Sequence, residues 1–147
     1  MRAMKLTVML VLGVMTVPLA AHAQCLAQSE DGQWVNTDAA TRSLTRIELR
    51  FTCQDQVLNG QPYPPGPAWH VHIWGKCHPT DCDWGEVGAV RLGSGFIFAY
   101  YDQGFARRYV YAKMSIYRPG QLWVYAWSDF TAPSRPDYAV NNWFRRP

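Results

Sequence analysis

The densest chemistry in the chain lies between Trp69 and Gly85, reading WHVHIWGKCHPTDCDWG. His70 and His72 stand two residues apart, so on a strand both side chains point the same way, as in a metal-binding H-x-H pair. His78 follows, and Asp81, Asp83 or Glu86 could complete a site that leaves one position open for water, with zinc the metal such a set suits. The same segment also reads as a purely structural corner. Cys77 and Cys82 would staple it, Pro79 would stiffen it, and Thr80 and Asp81 would hydrogen-bond to local backbone amides between the flanking Trp74 and Trp84. An acid/base hydrolase needs two carboxylates across a cleft. Asp81 or Asp83 offers one and Asp102 or Asp129 another, but nothing in the sequence brings them together. No G-x-S-x-G elbow, Walker loop or HExxH is present, and the reading leans away from an enzyme.

The second set of candidate residues is aromatic. Seven tryptophans, eight tyrosines and six phenylalanines make up 14% of the chain. From Arg108 to Tyr117, Val110, Ala112, Met114 and Ile116 fall on one face of a strand, and Tyr109, Tyr111, Lys113, Ser115 and Tyr117 on the other. Leu122, Val124 and Ala126 alternate in the same way with Trp123, Tyr125 and Trp127. If the aliphatic rows face the core, the rings form an outward platform on adjacent strands, where cross-strand neighbours are ~5 Å apart. Exposed apolar patches of that size mark binding surfaces. Tyr109, Tyr111, Trp123, Tyr125 and Trp127, with Trp74 and Trp84, are therefore the expected contacts for a glycan or a small apolar ligand, and Asp129, Lys113 and Arg107 could meet hydroxyls. The rows could instead line a lumen, pair for stability alone, or dock on another protein as an interaction or inhibitor module.

These residues must be carried by strands, since period-2 alternation recurs and helical periodicity is nearly absent. About eight strands are expected, near 33–37, 44–53, 69–75, 85–92, 96–102, 106–117, 121–128 and 138–145. Gly93-Ser94-Gly95, Asp102-Gln103-Gly104 and Pro119-Gly120 fit hairpin turns, the last a type II turn. Asn59 to Pro67, with four prolines and two glycines, is expected to be an extended loop. Hairpin connections imply a meander, and the expected fold is all-β: a single antiparallel up-and-down barrel, with a β-sandwich as the alternative.

Gly32-Gln33-Trp34 near the start, with Arg145 and Arg146 at the end, resembles the calycin signature of lipocalins and avidins. That resemblance implies an arginine from the last strand covering the tryptophan at the barrel's closed end. Trp74 to Gly85 fits W-G-x-C-x-P-T-D-C-D-W-G and resembles a family of small exported bacterial proteins, as does Trp34-Val35-Asn36-Thr37-Asp38 followed by Thr41 and Arg46-Ile47. This second likeness implies kinship and brings no established activity.

Residues 1–23 read as a secretory leader. Arg2 and Lys5 form a basic start, Leu6 to Val17 an apolar stretch, and Ala21-His22-Ala23 a cleavage site. That stretch is too short to span a bilayer, and no other segment is apolar enough, so no transmembrane segment is expected after cleavage. Residues 24–147 then form one domain, exported to the periplasm or beyond the cell. Four cysteines in an exported chain imply two disulfides, expected as Cys77–Cys82 and Cys25–Cys53. A cysteine zinc site is the alternative, although C-x4-C with one distant pair is poor zinc spacing. High apolar content excludes disorder, and a net charge of +3 gives no footing for nucleic acid binding driven by charge.

Overall fold

Alternation decides which residues meet inside. The computed structural model describes residues 25–147, so the expected leader lies outside the described residues. Among the described residues there are ten strands: β1 (Gly32–Asn36), β2 (Leu44–Phe51), β3 (Gln56–Leu58), β4 (Gln61–Tyr63), β5 (Trp69–Gly75), β6 (Cys82–Arg91), β7 (Ile97–Asp102), β8 (Ala106–Met114), β9 (Leu122–Phe130) and β10 (Tyr138–Arg145). Eight of them close into one antiparallel barrel, ordered β1-β10-β9-β8-β7-β6-β5-β2, with β2 returning to β1. Closure sets the sandwich alternative aside and leaves these eight strands no free edge.

An eight-stranded barrel has an interior just wide enough for side chains to fill or to hold one small ligand. Here Ala89, Ala99, Ala112 and Ala126 share it with Trp34, Trp69, Tyr101 and Phe144, and Ile47, Leu49, Val71, Ile73, Ile97, Val110, Leu122 and Val124 take up the remainder. Tyr101 is buried, and its hydroxyl donates to the Val71 carbonyl at 2.7 Å. Burial pushes that phenol far above its ordinary range, so it stays a donor at any physiological pH.

The expected turns connect the strands, with Pro119 and Gly120 (φ 76°) closed by the Gln121 amide donating to the Arg118 carbonyl at 3.1 Å. Three expectations need correction. Asn59 to Pro67 is not all loop, because β3 and β4 pair across a two-residue turn at Asn59-Gly60, both at positive φ. Asn-Gly is the preferred pair for such a hairpin turn, and the prolines nearby obscured it. Strand β8 stops at Met114 rather than Tyr117. Ile116 and Tyr117 turn out into solvent, 78% and 87% exposed, because Ser115 caps a turn by accepting from the amides of Tyr117 and Arg118. Finally, β6 begins at Cys82 rather than residue 85.

One end of the barrel is closed by stacked charge and ring. The Arg146 guanidinium lies 3.9 Å over the Trp34 ring and donates to the Ser29 carbonyl at 2.8 Å. Gly32 is at φ 114°, and a Cβ there would collide with the Arg146 guanidinium. The Trp34 indole N–H donates to the Glu30 carbonyl at 2.8 Å. The buried Glu30 carboxylate takes two hydrogen bonds from Arg91, at 3.1 and 3.0 Å. The Cys25–Cys53 disulfide, with Cα atoms 5.7 Å apart, ties this N-terminal arm to the chain leaving β2.

Burial alone would raise the Glu30 pKa, but Arg91, a backbone amide and Ser29 outweigh it and hold the carboxyl below its ordinary value. A depressed folded-state pKa stabilises the protein above the ordinary carboxylate range, and that contribution is lost as pH falls through the depressed value. Glu30→Gln is expected to lower stability by roughly 1–3 kcal/mol near neutral pH. The Tm gap between wild type and variant should shrink as pH is lowered from about 7 to about 3, because the variant has no such contribution to lose. A gap independent of pH would assign Glu30 a packing role only.

Candidate functional site

At the opposite end the aliphatic filling stops below the rim. A cavity of about 470 Å³ opens there, walled by Leu44, Gly75 and Val140 and by the rings of Trp84, Phe105 and Tyr138. Exposed Arg42, Lys76 and Arg135 border it from the loops, and buried Arg108 and Ser128 form its floor.

The position of Trp84 comes from a break in alternation. Val71 pairs with Val87 and His72 with Glu86, but Trp74 pairs with Asp83, so β6 carries one extra residue. Gly85 sits in that bulge at φ 81°, a left-handed conformation suited to glycine at a G1 bulge. The extra residue reverses the phase of β6, and Trp84 turns towards the core, where its ring meets Tyr101 edge-on at 6.0 Å. The two tryptophans that flank the stapled loop therefore face opposite sides of the sheet. Trp74 is outside the barrel, stacked on His72 at 3.9 Å and covered by Arg46 at 4.3 Å.

Arg108 follows directly from the β8 alternation, since it shares the inward face with Val110 and Ala112. It is only 5% exposed. Its Nε donates to Gln103 at 2.7 Å and Nη1 to the Ser128 hydroxyl at 2.7 Å. The guanidinium lies 4.0 Å over the Trp84 ring, with Phe130 at 5.7 Å and Phe105 at 5.9 Å. Among the described residues no carboxylate lies within ion-pair distance of it. Sequence reading passed over Arg108; the available signal was a cation in phase with an aliphatic row.

No family model matches this chain, and no curated protein or solved structure matches it.

The disulfides are Cys25–Cys53 and Cys77–Cys82, a feature of proteins that mature in an oxidising compartment. The described residues include no helix long and apolar enough to cross a membrane. The histidines do not converge. Among the described residues, the three potential ligand atoms that lie within 4.8 Å of one another belong to Cys25, Cys53 and Asp55, and both cysteines are spent in the disulfide. His72 Nε2 lies 2.5 Å from Asp83 Oδ1. The Gly85 amide and then His72 hold the Asp83 carboxyl below its ordinary pKa. His70 Nδ1 is buried without a hydrogen-bond partner among the described residues, and His78 is exposed in the stapled loop. The carboxylates considered for acid/base work are likewise engaged. Asp81 accepts from Thr45 at 2.7 Å, Asp102 from the Gly104 amide at 3.0 Å, and Asp129 pairs with Arg107 at 2.8 Å, while Glu86, a candidate metal ligand, accepts from Arg50 at 2.6 Å.

The aromatic rows face outward. Tyr100, Tyr109 and Trp127 align across β7, β8 and β9, and Phe98, Tyr111 and Tyr125 form the next row. Trp123 stacks on Tyr125 at 6.2 Å and pairs with Trp143. Most rings meet edge-on or tilted and are half-buried by one another, and Tyr100 and Trp127 are the most open at 40% and 36%. The cations and acid expected to meet hydroxyls are occupied, Arg107 with Asp129, and Lys113 with the Ser94 carbonyl at 2.8 Å.

Gly85→Ala is expected to cost about 1–2 kcal/mol through left-handed strain alone, read as a lower Tm. Because the bulge aims Trp84, the near-ultraviolet circular dichroism of the folded variant should change as well. A variant unaltered in both would detach the bulge from the cavity wall.

Proposed function

We propose that this is an exported small-molecule-binding protein that takes its ligand into the open mouth of the barrel. The observation that carries the reading is the cavity itself, a concave site with three aromatic walls over a buried cation. Its size is that of small-ligand sites, and its lining sets aromatic and aliphatic walls against a cationic floor and rim. The Arg146–Trp34 stack supports a calycin-like kinship, and the disulfides support work in the periplasm or outside the cell.

Titration with hydrocinnamyl alcohol, a small apolar probe, tests the site without presuming its natural ligand. Trp84→Ala should weaken binding about tenfold, the order expected when a well-packed ring contact is lost. Trp123→Ala, on the outer face, should leave it unchanged. Amide shifts that cluster away from residues 75–84 and 103–108, or no binding at all, would refute the mouth as the site.

A second reading, recognition of a glycan on the outer face, is favoured by the ring rows spread over β7 to β10. Sugar faces stack on such rings, and Tyr100 and Trp127 are the open ones. On this reading Trp127→Ala lowers glycan-array binding several-fold with Tm little changed, and an array blank for the wild type removes it.

A further inference from the structure

We infer that the ligand of the barrel mouth carries a single carboxylate, received by Arg108, on an apolar or aromatic body held by Trp84, Phe105 and Tyr138. The inference rests on the mouth being the binding site and adds the chemical class of what binds there.

Taking a guanidinium out of water is expensive unless it is paired or fully hydrogen-bonded. The two ends of this barrel differ in that respect. At the closed end Arg91 has Glu30 as a carboxylate partner at 3.0 Å. At the mouth Arg108 is more deeply buried, yet it meets only the neutral oxygens of Gln103 and Ser128 and the faces of aromatic rings. Two hydrogen bonds leave donors of its five unused, and among the described residues Nη2 donates to no oxygen. The guanidinium borders the cavity, so an incoming acceptor can reach it without rearrangement of the strands.

The charges around the cavity narrow the class. Arg42, Lys76, Arg108 and Arg135 line it, and the one lining carboxylate, Asp83, is engaged by His72 and the Gly85 amide. Lys76 faces Asp81 at 3.7 Å, and Arg135 covers Phe130 at 3.8 Å. The field at the mouth therefore favours an anion. The floor holds one buried cation, which matches one negative charge, and a planar guanidinium edge matches a planar carboxylate. The rings beside that cation supply faces for an apolar body.

The test compares hydrocinnamate with its neutral analogues, hydrocinnamyl alcohol and hydrocinnamamide, and with phenyl phosphate, by calorimetry on the mature protein. Hydrocinnamate is expected to bind at least about tenfold tighter than either neutral analogue, the order set by a charge-assisted hydrogen bond. Arg108→Gln should abolish the preference for the acid, bringing acid and alcohol to the same affinity, and Arg108→Lys should retain part of the difference. Acid and alcohol binding alike, with both weakened by Trp84→Ala, would overturn the carboxylate and leave the mouth site standing. Failure of every probe to bind would overturn both. Phenyl phosphate binding tighter than hydrocinnamate would overturn the monoanion assignment. The wild-type comparison needs no variant, so a misfolded Arg108→Gln cannot shelter the proposal.

Discussion

A closed barrel of eight strands gives each level of its interior room for only a few side chains, and the strict alternation of strand residues decides which ones arrive. Once β10 pairs with β1, a residue cannot leave the interior by shifting register without turning its whole strand inside out. The alanines at positions 89, 99, 112 and 126 are small because Trp34, Trp69, Tyr101 and Phe144 occupy the same narrow space. The aliphatic set runs from the plug at Trp34 up to Val110 and Ile73. Above it the inward residues become Arg108, Ser128 and Trp84, and the interior changes from a packed core into a cup.

Guanidinium–tryptophan contact is the recurring device for placing positive charge on this framework. Arg146 covers Trp34, Arg108 covers Trp84, Arg46 covers Trp74 and Arg118 covers Trp143, all between 3.9 and 4.3 Å. A ring face offers a cation some electrostatic return without a carboxylate, and more of it where water is excluded. At the plug this works together with the hydrogen bond from Arg146 to Ser29 and with the neighbouring Glu30–Arg91 pair. Outside the barrel, Arg46 and Arg118 are exposed and little is at stake. Arg108 alone combines burial with the lack of an acidic partner among the described residues.

Much of this was legible in the chain. Ile47 and Leu49 against Arg46 and Arg50, and Val124 and Ala126 against Tyr125 and Trp127, read directly as inward and outward faces. The cysteine pairs followed from loop length and the implied oxidising compartment. Gly32-x-Trp34 with Arg146 foretold a contact between the two ends of the chain. What stayed hidden depends on phase. The bulge at Gly85 reverses β6 and turns Trp84 inward, and no alternation count that starts at Cys82 anticipates it. Alternation also ran on past Met114, so Ile116 was placed inside although Ser115 had already begun a turn. Arg108 escaped notice for the opposite reason: its phase was plain inside the expected strand 106–117, but the inward row was read only from Val110 onward.

The two sides of the mouth are held by unequal means. On one side Cys77–Cys82 joins the chain between β5 and β6, and Asp81 of that loop is fixed across to Thr45 of β2 at 2.7 Å. Trp84 and Gly75 belong to this covalently braced wall, with the indole nitrogen packed close over the glycine. On the other side the connection from Thr131 to Asp137 is exposed throughout. It is tied by Asp137 accepting from the Phe130 amide at 2.8 Å, by Thr131 on Phe105, and by Arg135 over Phe130. A ligand between them meets a preorganised ring face on the braced side, where little freedom remains to be lost, and a more adjustable edge at Phe105 and Tyr138. Arg108 is anchored from both directions, through Gln103 beside β7 and Ser128 on β9. The fixed charge and the fixed ring thus share one end of the cavity, and variation in ligand shape is left to the rim.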